Sequence, residues 1–186
     1  MRWDELFADL EGQYLAGQAQ ALAAEVRDRT RREASLLSMT DRLRPVLGSV
    51  PTVAVWGVGP VTGRLHDVGP DWLLVCETGG AQLLVPTAAV LGLVGVGRAS
   101  DVPGGEGAVG RRLDLRYALR GLARRRAGVH VVRRDGSVVT GTLDRVGSDH
   151  LDVAEHPPGE PRRAGAVRQV HLVPLDALAV VRSSGG

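Results

Sequence analysis

The side chains that could do chemistry in this chain are few in kind, and one stretch concentrates them. Arg111, Arg112, Arg116, Arg120, Arg124, Arg125 and Arg126 are followed closely by Arg133 and Arg134. Arg112, Arg116 and Arg120 step by four, which places them on one face of a helix. Guanidiniums so spaced can follow the phosphates of RNA or DNA. Asp114 and Asp135 offset little of this charge. The nucleic-acid-binding set expected from sequence is therefore Arg112, Arg116, Arg120, Arg124, Arg125, Arg126, Arg133 and Arg134. The competing reading is a solvated face whose last-turn cations suit the helix dipole. Tyr117 is the only aromatic residue nearby, so a base-stacking platform is not expected.

The other reactive residue types lack partners at useful spacing. Asp71 and Asp149 each follow a glycine by two residues, a position where Asp bonds its own backbone in a turn. His66, His130, His150, His156 and His171 are scattered, whereas a zinc site needs three or four converging ligands. Cys76 stands in an apolar run and reads as a small buried hydrophobe. No phosphate-cradling glycine motif and no nucleophile elbow occurs. The residues call for no enzyme activity, no metal and no cofactor.

Composition narrows the class. Aromatic residues are 3% of the 186, so the core must come from Leu, Val and Ala rather than from an aromatic-lined cofactor pocket. The formal net charge is +2, and all the basic residues are Arg, an excess too small to prove a polyanionic partner. One cysteine allows no intrachain disulfide and fits a reducing compartment. The N-terminus has no apolar signal segment, and no apolar run is long enough for a membrane span; the expected location is cytoplasmic.

The chain is organised around one stretch that occurs twice. Val61 to Val75 and Val139 to Val153 both fit V-T-G-x-L-x-x-V-G-x-D-x-L-x-V. Leu84-Val85-Pro86 recurs as Leu172-Val173-Pro174. Before the first copy, Trp3, Phe7, Leu10 and Tyr14, then Leu15, Ala19, Leu22 and Val26, predict an N-terminal amphipathic helix over 1–34. Its stripe must bury against something, with packing on the rest of the chain slightly favoured over a partner's helix. A shorter helix over 35–47 precedes five strands between 53 and 94, and a linker rich in Gly and Pro covers 98–110. The second unit, 111–183, repeats helix and strands, with a polar, mobile insertion at His156 to Arg168 and a flexible tail at 184–186. The expected architecture is α+β, mainly β: two tandem five-stranded SH3-like barrels, each preceded by a helix, at 35–97 and 111–183.

Helix, five strands and a short turn between strands four and five resemble the Sm-like barrel, and in detail the bacterial Hfq type. G-x-L-x-x-V-x-x-D-x-L-x-V resembles the first Sm motif, and the two Leu-Val-Pro blocks stand where the second would lie. The resemblance covers roughly 36–96 and 113–182 and leaves the N-terminal helix aside. Where Hfq-type proteins carry a Tyr-Lys-His-like RNA-pocket motif, this chain has Val85-Pro86-Thr87 and Val173-Pro174-Leu175, so no pocket residue carries over. The whole chain also resembles an uncharacterised actinobacterial group loosely labelled Fis-family transcriptional regulators, although no helix-turn-helix supports that label. The resemblance implies a non-enzymatic regulatory role through RNA or DNA. The alternative is a protein-interaction or oligomeric assembly scaffold, because Sm-like barrels assemble through strands four and five. Partners would then be copies of the chain or a protein bound through the N-terminal helix.

Overall fold

A computed structural model describes residues 3–101, 105, 107–110, 112–157 and 165–183. The chain divides into two compact units, Met1–Ser38 and Met39–Gly186. The first is the helix α1 (Trp3–Ser35). Gly12 and Gly17 lie within it with nothing close around them, and Arg29 pairs with Glu33 at 3.0 Å one turn apart. Its large apolar residues, Trp3, Phe7, Leu10, Tyr14, Leu15, Leu22 and Val26, are all exposed.

The second unit holds everything else. α2 (Met39–Leu43) passes into a 3-10 turn at Arg44–Val46, where Pro45 cannot continue the α-helical ladder. Strands β1 (Thr52–Val55), β2 (Gly59–Thr62), β3 (Arg64–Val68), β4 (Trp72–Cys76), β5 (Gln82–Pro86) and β6 (Val90–Val94) follow. α3 (Gly107–Gly110) and α4 (Leu115–Arg125) lead into β7 (Gly128–Arg133), β8 (Val138–Val146), β9 (His150–Glu155), β10 (Gln169–Pro174) and β11 (Leu178–Ser183). α4 starts on Asp114, whose carboxylate accepts from the Tyr117 N–H, and ends on Arg126 in the left-handed region, φ 49°. Gly128, two residues on, already belongs to β7.

The two copies of the motif fold alike, and the motif residues show why. Gly63 separates β2 from β3, and its counterpart Gly141 lies within β8. A Cβ on Gly63 would stand 2.6 Å from the Cys76 carbonyl oxygen, and one on Gly141 would collide with the equivalent oxygen of Ala154. Glycine is required here because a bent strand crosses the next one closely. Gly69 and Gly147 make room for the rings of Trp72 and His150. Asp71 and Asp149 hold the following 3-10 turns through their carbonyls, which accept from Thr87 N–H at 2.9 Å and Leu175 N–H at 2.7 Å.

The expected pair of closed barrels is not what the ladders form. Among the described residues the strands make a three-stranded antiparallel sheet, β2-β1-β6, and an eight-stranded one, β10-β9-β8-β7-β11-β5-β4-β3. The one-turn 3-10 helices Thr87–Ala89 and Leu175–Ala177 steer strands four and five of each repeat apart, so they do not pair with each other. Two cores result. One gathers Leu43, Val53, Val55, Leu65, Val75 and Val85, the other Leu119, Val131, Leu143, Leu151, Val153 and Leu178. The start of the expected linker is tied down: Arg42 donates to the carbonyls of Gly97, at 2.7 Å, and Ala99, at 3.0 Å. Arg111, most of the 156–168 insertion and the 184–186 tail lie outside the described residues.

Candidate functional site

The most informative place in the fold is the joint where the repeats meet. β5, strand four of the first repeat, pairs antiparallel with β11, strand five of the second, placing Leu84 opposite Val181 and Leu83 opposite Arg182. Each core borrows from the other repeat across it. Trp72 and Leu84 of the first repeat are buried in the second core, and Ala179 and Val180 of the second are buried in the first. The Trp72 indole N–H donates to the Leu113 carbonyl at 2.7 Å. The Asp71 carboxylate accepts from the Leu115 N–H at 2.7 Å, so a turn of one repeat caps the helix of the other. Burial, opposed by that bond and assisted by the nearby Asp114 charge, raises the Asp71 pKa above the ordinary aspartate value. Asp114 feels burial too, but the Tyr117 N–H and the Arg116 guanidinium hold it below its ordinary value.

The hairpins reinforce the joint. Arg134 lies 5.3 Å from the centre of the Trp56 ring and donates to the Ala88 carbonyl at 3.1 Å. Arg133 and Arg134 are both half-buried on this hairpin, and the Arg134 side chain is engaged by the first repeat. Arg116 is exposed but ion-paired to Asp114 at 2.7 Å. Arg112, Arg120, Arg124, Arg125 and Arg126 are exposed, with Arg124 6.0 Å from the Tyr117 ring centre. Leu115 and Leu119 form the buried side of α4. The eight expected arginines thus divide between one solvated helix with its flanks and one hairpin.

The remaining titratable groups serve local structure. His156 is buried and bonds Thr142 Oγ1 at 2.7 Å, and His130 bonds Thr140 Oγ1 at 2.8 Å. His171 lies 2.7 Å from Glu155 and, with Gln169, lowers the Glu155 pKa. Asp149 is lowered chiefly by its bond to His150. Among the described residues no three His, Cys, Asp or Glu side chains converge as metal ligands. Cys76 is only half-buried in β4. No helix among the described residues is long and apolar enough to cross a membrane.

The joint leaves two unfilled halves. β10 corresponds to β5 by the repeat, and among the described residues it pairs only with β9. β6 corresponds to β11, and among the described residues it pairs only with β1. Leu84 in the joint is 6% exposed, whereas its counterpart Leu172 is 65% exposed. Ala179 is fully buried, whereas its counterpart Leu91 is 67% exposed. Sequence reasoning located these strands but not the exchange between them. The signal was present in the apolar, uncharged edges Val90-Leu91-Gly92-Leu93-Val94 and Leu172-Val173. No protein-family model matches the chain, and no curated protein matches it either. Its function must be read from the joint and the two open copies of it.

Proposed function

We propose that the chain is a non-enzymatic assembly module that associates head to tail, strand β10 of one copy adding to strand β6 of the next. One observation carries this reading: the joint inside the chain has two complementary halves that recur, open and apolar, at its ends. Protected edges usually carry charges, bulges or covers, and neither of these strands contains an Asp, Glu or Arg. Backbone pairing of this kind supplies affinity, and side chains on alternate positions supply register. Applying the internal register to a second copy sets Leu172 opposite Leu93 and His171 opposite Val94. Such a contact is heterologous, so it closes into a ring or extends as a filament. Each repeat is then an Sm-like, SH3-type barrel left open between strands four and five, which accords with the order β2-β1-β6 and β3-β4-β5. A cytoplasmic location accords with the single, free cysteine.

The test is mass in solution. Light scattering on the full chain is expected to give more than two copies, whereas Leu172→Asp and Leu91→Asp are each expected to give monomers. An equimolar mixture of the two variants restores one intact joint and is expected to give a one-to-one dimer. Deleting residues 1–34 is expected to leave the assembly in place. A monomeric parent chain, or variants that assemble as it does, overturns the proposal.

A second reading, an RNA- or DNA-binding regulator, has one observation in its favour. α4 carries Arg116, Arg120 and Arg124, all exposed, away from its buried Leu115 and Leu119. Replacing those three arginines with Ala is expected to weaken binding of labelled single-stranded RNA or duplex DNA. It is also expected to flatten the salt dependence by roughly one unit of log–log slope for each phosphate no longer neutralised. Fluorescence anisotropy at two salt concentrations checks it, and unchanged binding removes α4 from the interface.

A further inference from the structure

A groove of about 540 Å³ runs along α4 where the helix lies beside β4, β5 and β11. That volume is in the range of small-molecule sites. Leu74, Leu84 and Val181 give it an apolar floor, and Leu122 and Tyr117 a wall. Arg124 and Arg125 stand at its edge, and the lining contains no carboxylate. Among the described residues these two guanidiniums have no acidic partner, unlike Arg116 and Arg182, which are paired with Asp114 and Glu77. Gly121 lies on the same stretch of helix. Glycine inside a helix is unfavourable relative to alanine. A Cβ there would meet only the far end of Arg124, at 4.0 Å, so no neighbour requires the glycine. It lines the groove, where any larger side chain would take up room.

We infer that this groove binds a small amphiphilic anion, an apolar chain or ring along the floor with a carboxylate or phosphate-type head between Arg124 and Arg125. Apolar walls with a few convergent charged donors suit that class, and a planar guanidinium suits its head. The site stands apart from the assembly edges, because it uses neither β6 nor β10.

Calorimetric titration of the full chain with sodium decanoate, kept below its micellar concentration, tests it. One decanoate per chain is expected. Decanol is expected to bind at least roughly tenfold more weakly, as is decanoate to the double variant Arg124→Gln, Arg125→Gln, since each charge-assisted pair is worth about a factor of ten. Gly121→Phe fills the groove and is expected to abolish binding with the melting temperature held or raised. Absence of decanoate binding by the parent chain overturns the inference. So does binding that survives Gly121→Phe, and equal binding of decanol overturns the anionic head.

Discussion

Trp72→Ala is expected to lower the stability of the folded chain by about 3–5 kcal/mol, the range for removing a large buried aromatic side chain. Trp72 is the first residue of β4, in the first repeat, yet its ring is buried in the second core with Leu115, Leu119 and Leu143. Truncation leaves a cavity between the repeats and removes the donor to the Leu113 carbonyl. That carbonyl belongs to a residue 37% exposed, so water can replace the indole and the cavity term dominates. Trp72→Phe keeps most of the packing and is expected to cost much less. Because Ala179 and Val180 are buried reciprocally in the first core, both repeats are expected to melt in one transition in parent and variant alike. Urea denaturation of the chain without residues 1–34, followed by far-ultraviolet circular dichroism, checks this, since the separate helix α1 then adds no transition of its own. A loss under about 1 kcal/mol, or two separated transitions, contradicts a shared core.

The exchange explains why some of this fold is legible in the sequence and some is not. Strands form in each stretch with the period-two pattern, although Gly63 divides the second of the five expected in the first repeat into β2 and β3, and the doubled motif announces two like units, because its glycines and aspartates answer to contacts within one repeat. Gly63 answers to Cys76, Gly69 to Trp72, and the Asp71 carbonyl to the Thr87 N–H. The joint depends on contacts between repeats, and the apolar edges of β6 and β10 record only that such strands want a partner, not which strand supplies it. Leu84 and Leu172 open the same Leu-Val-Pro block, yet one is buried and the other exposed. The expectation of closed barrels fails for the same reason. Periodicity fixes which face of a strand is apolar, whereas closure depends on whether strands four and five meet across a 3-10 turn. The arginine stretch reads as one surface because sequence cannot tell an exposed Arg124 from an Arg134 stacked on Trp56 of the other repeat. The groove beside Gly121 is invisible in the sequence because Trp72 and Leu84 reach it from a different repeat.

The glycines give the sharpest test of what the motif is for, since alanine at Gly141 and at Gly121, which lies outside the motif, should act in opposite directions. Gly141 is buried in β8 between β7 and β9, paired with Val129 on one side and Glu155 on the other. Its φ lies outside the left-handed region, so the backbone conformation itself admits alanine. Space does not: an added methyl would overlap the Ala154 carbonyl oxygen, lie 2.8 Å from its carbon and 3.1 Å from the Glu155 Cα. All three are backbone atoms of a paired strand and cannot turn aside as a side-chain tip would. Relief requires β8 and β9 to part at the bend, which breaks ladder hydrogen bonds on a buried sheet. Gly141→Ala is therefore expected to cost about 3 kcal/mol, the upper part of the range for overpacking a core. Gly121→Ala meets open space on a helix and is expected to stabilise by about 0.5–1 kcal/mol. Measuring both by the same denaturation removes any common effect of the substitution on the unfolded chain. The pair contradicts the account if Gly141→Ala is neutral. In that case the motif glycine would reflect turn flexibility, and the bend that joins β2 to β3 in one repeat and runs through β8 in the other would need a different cause.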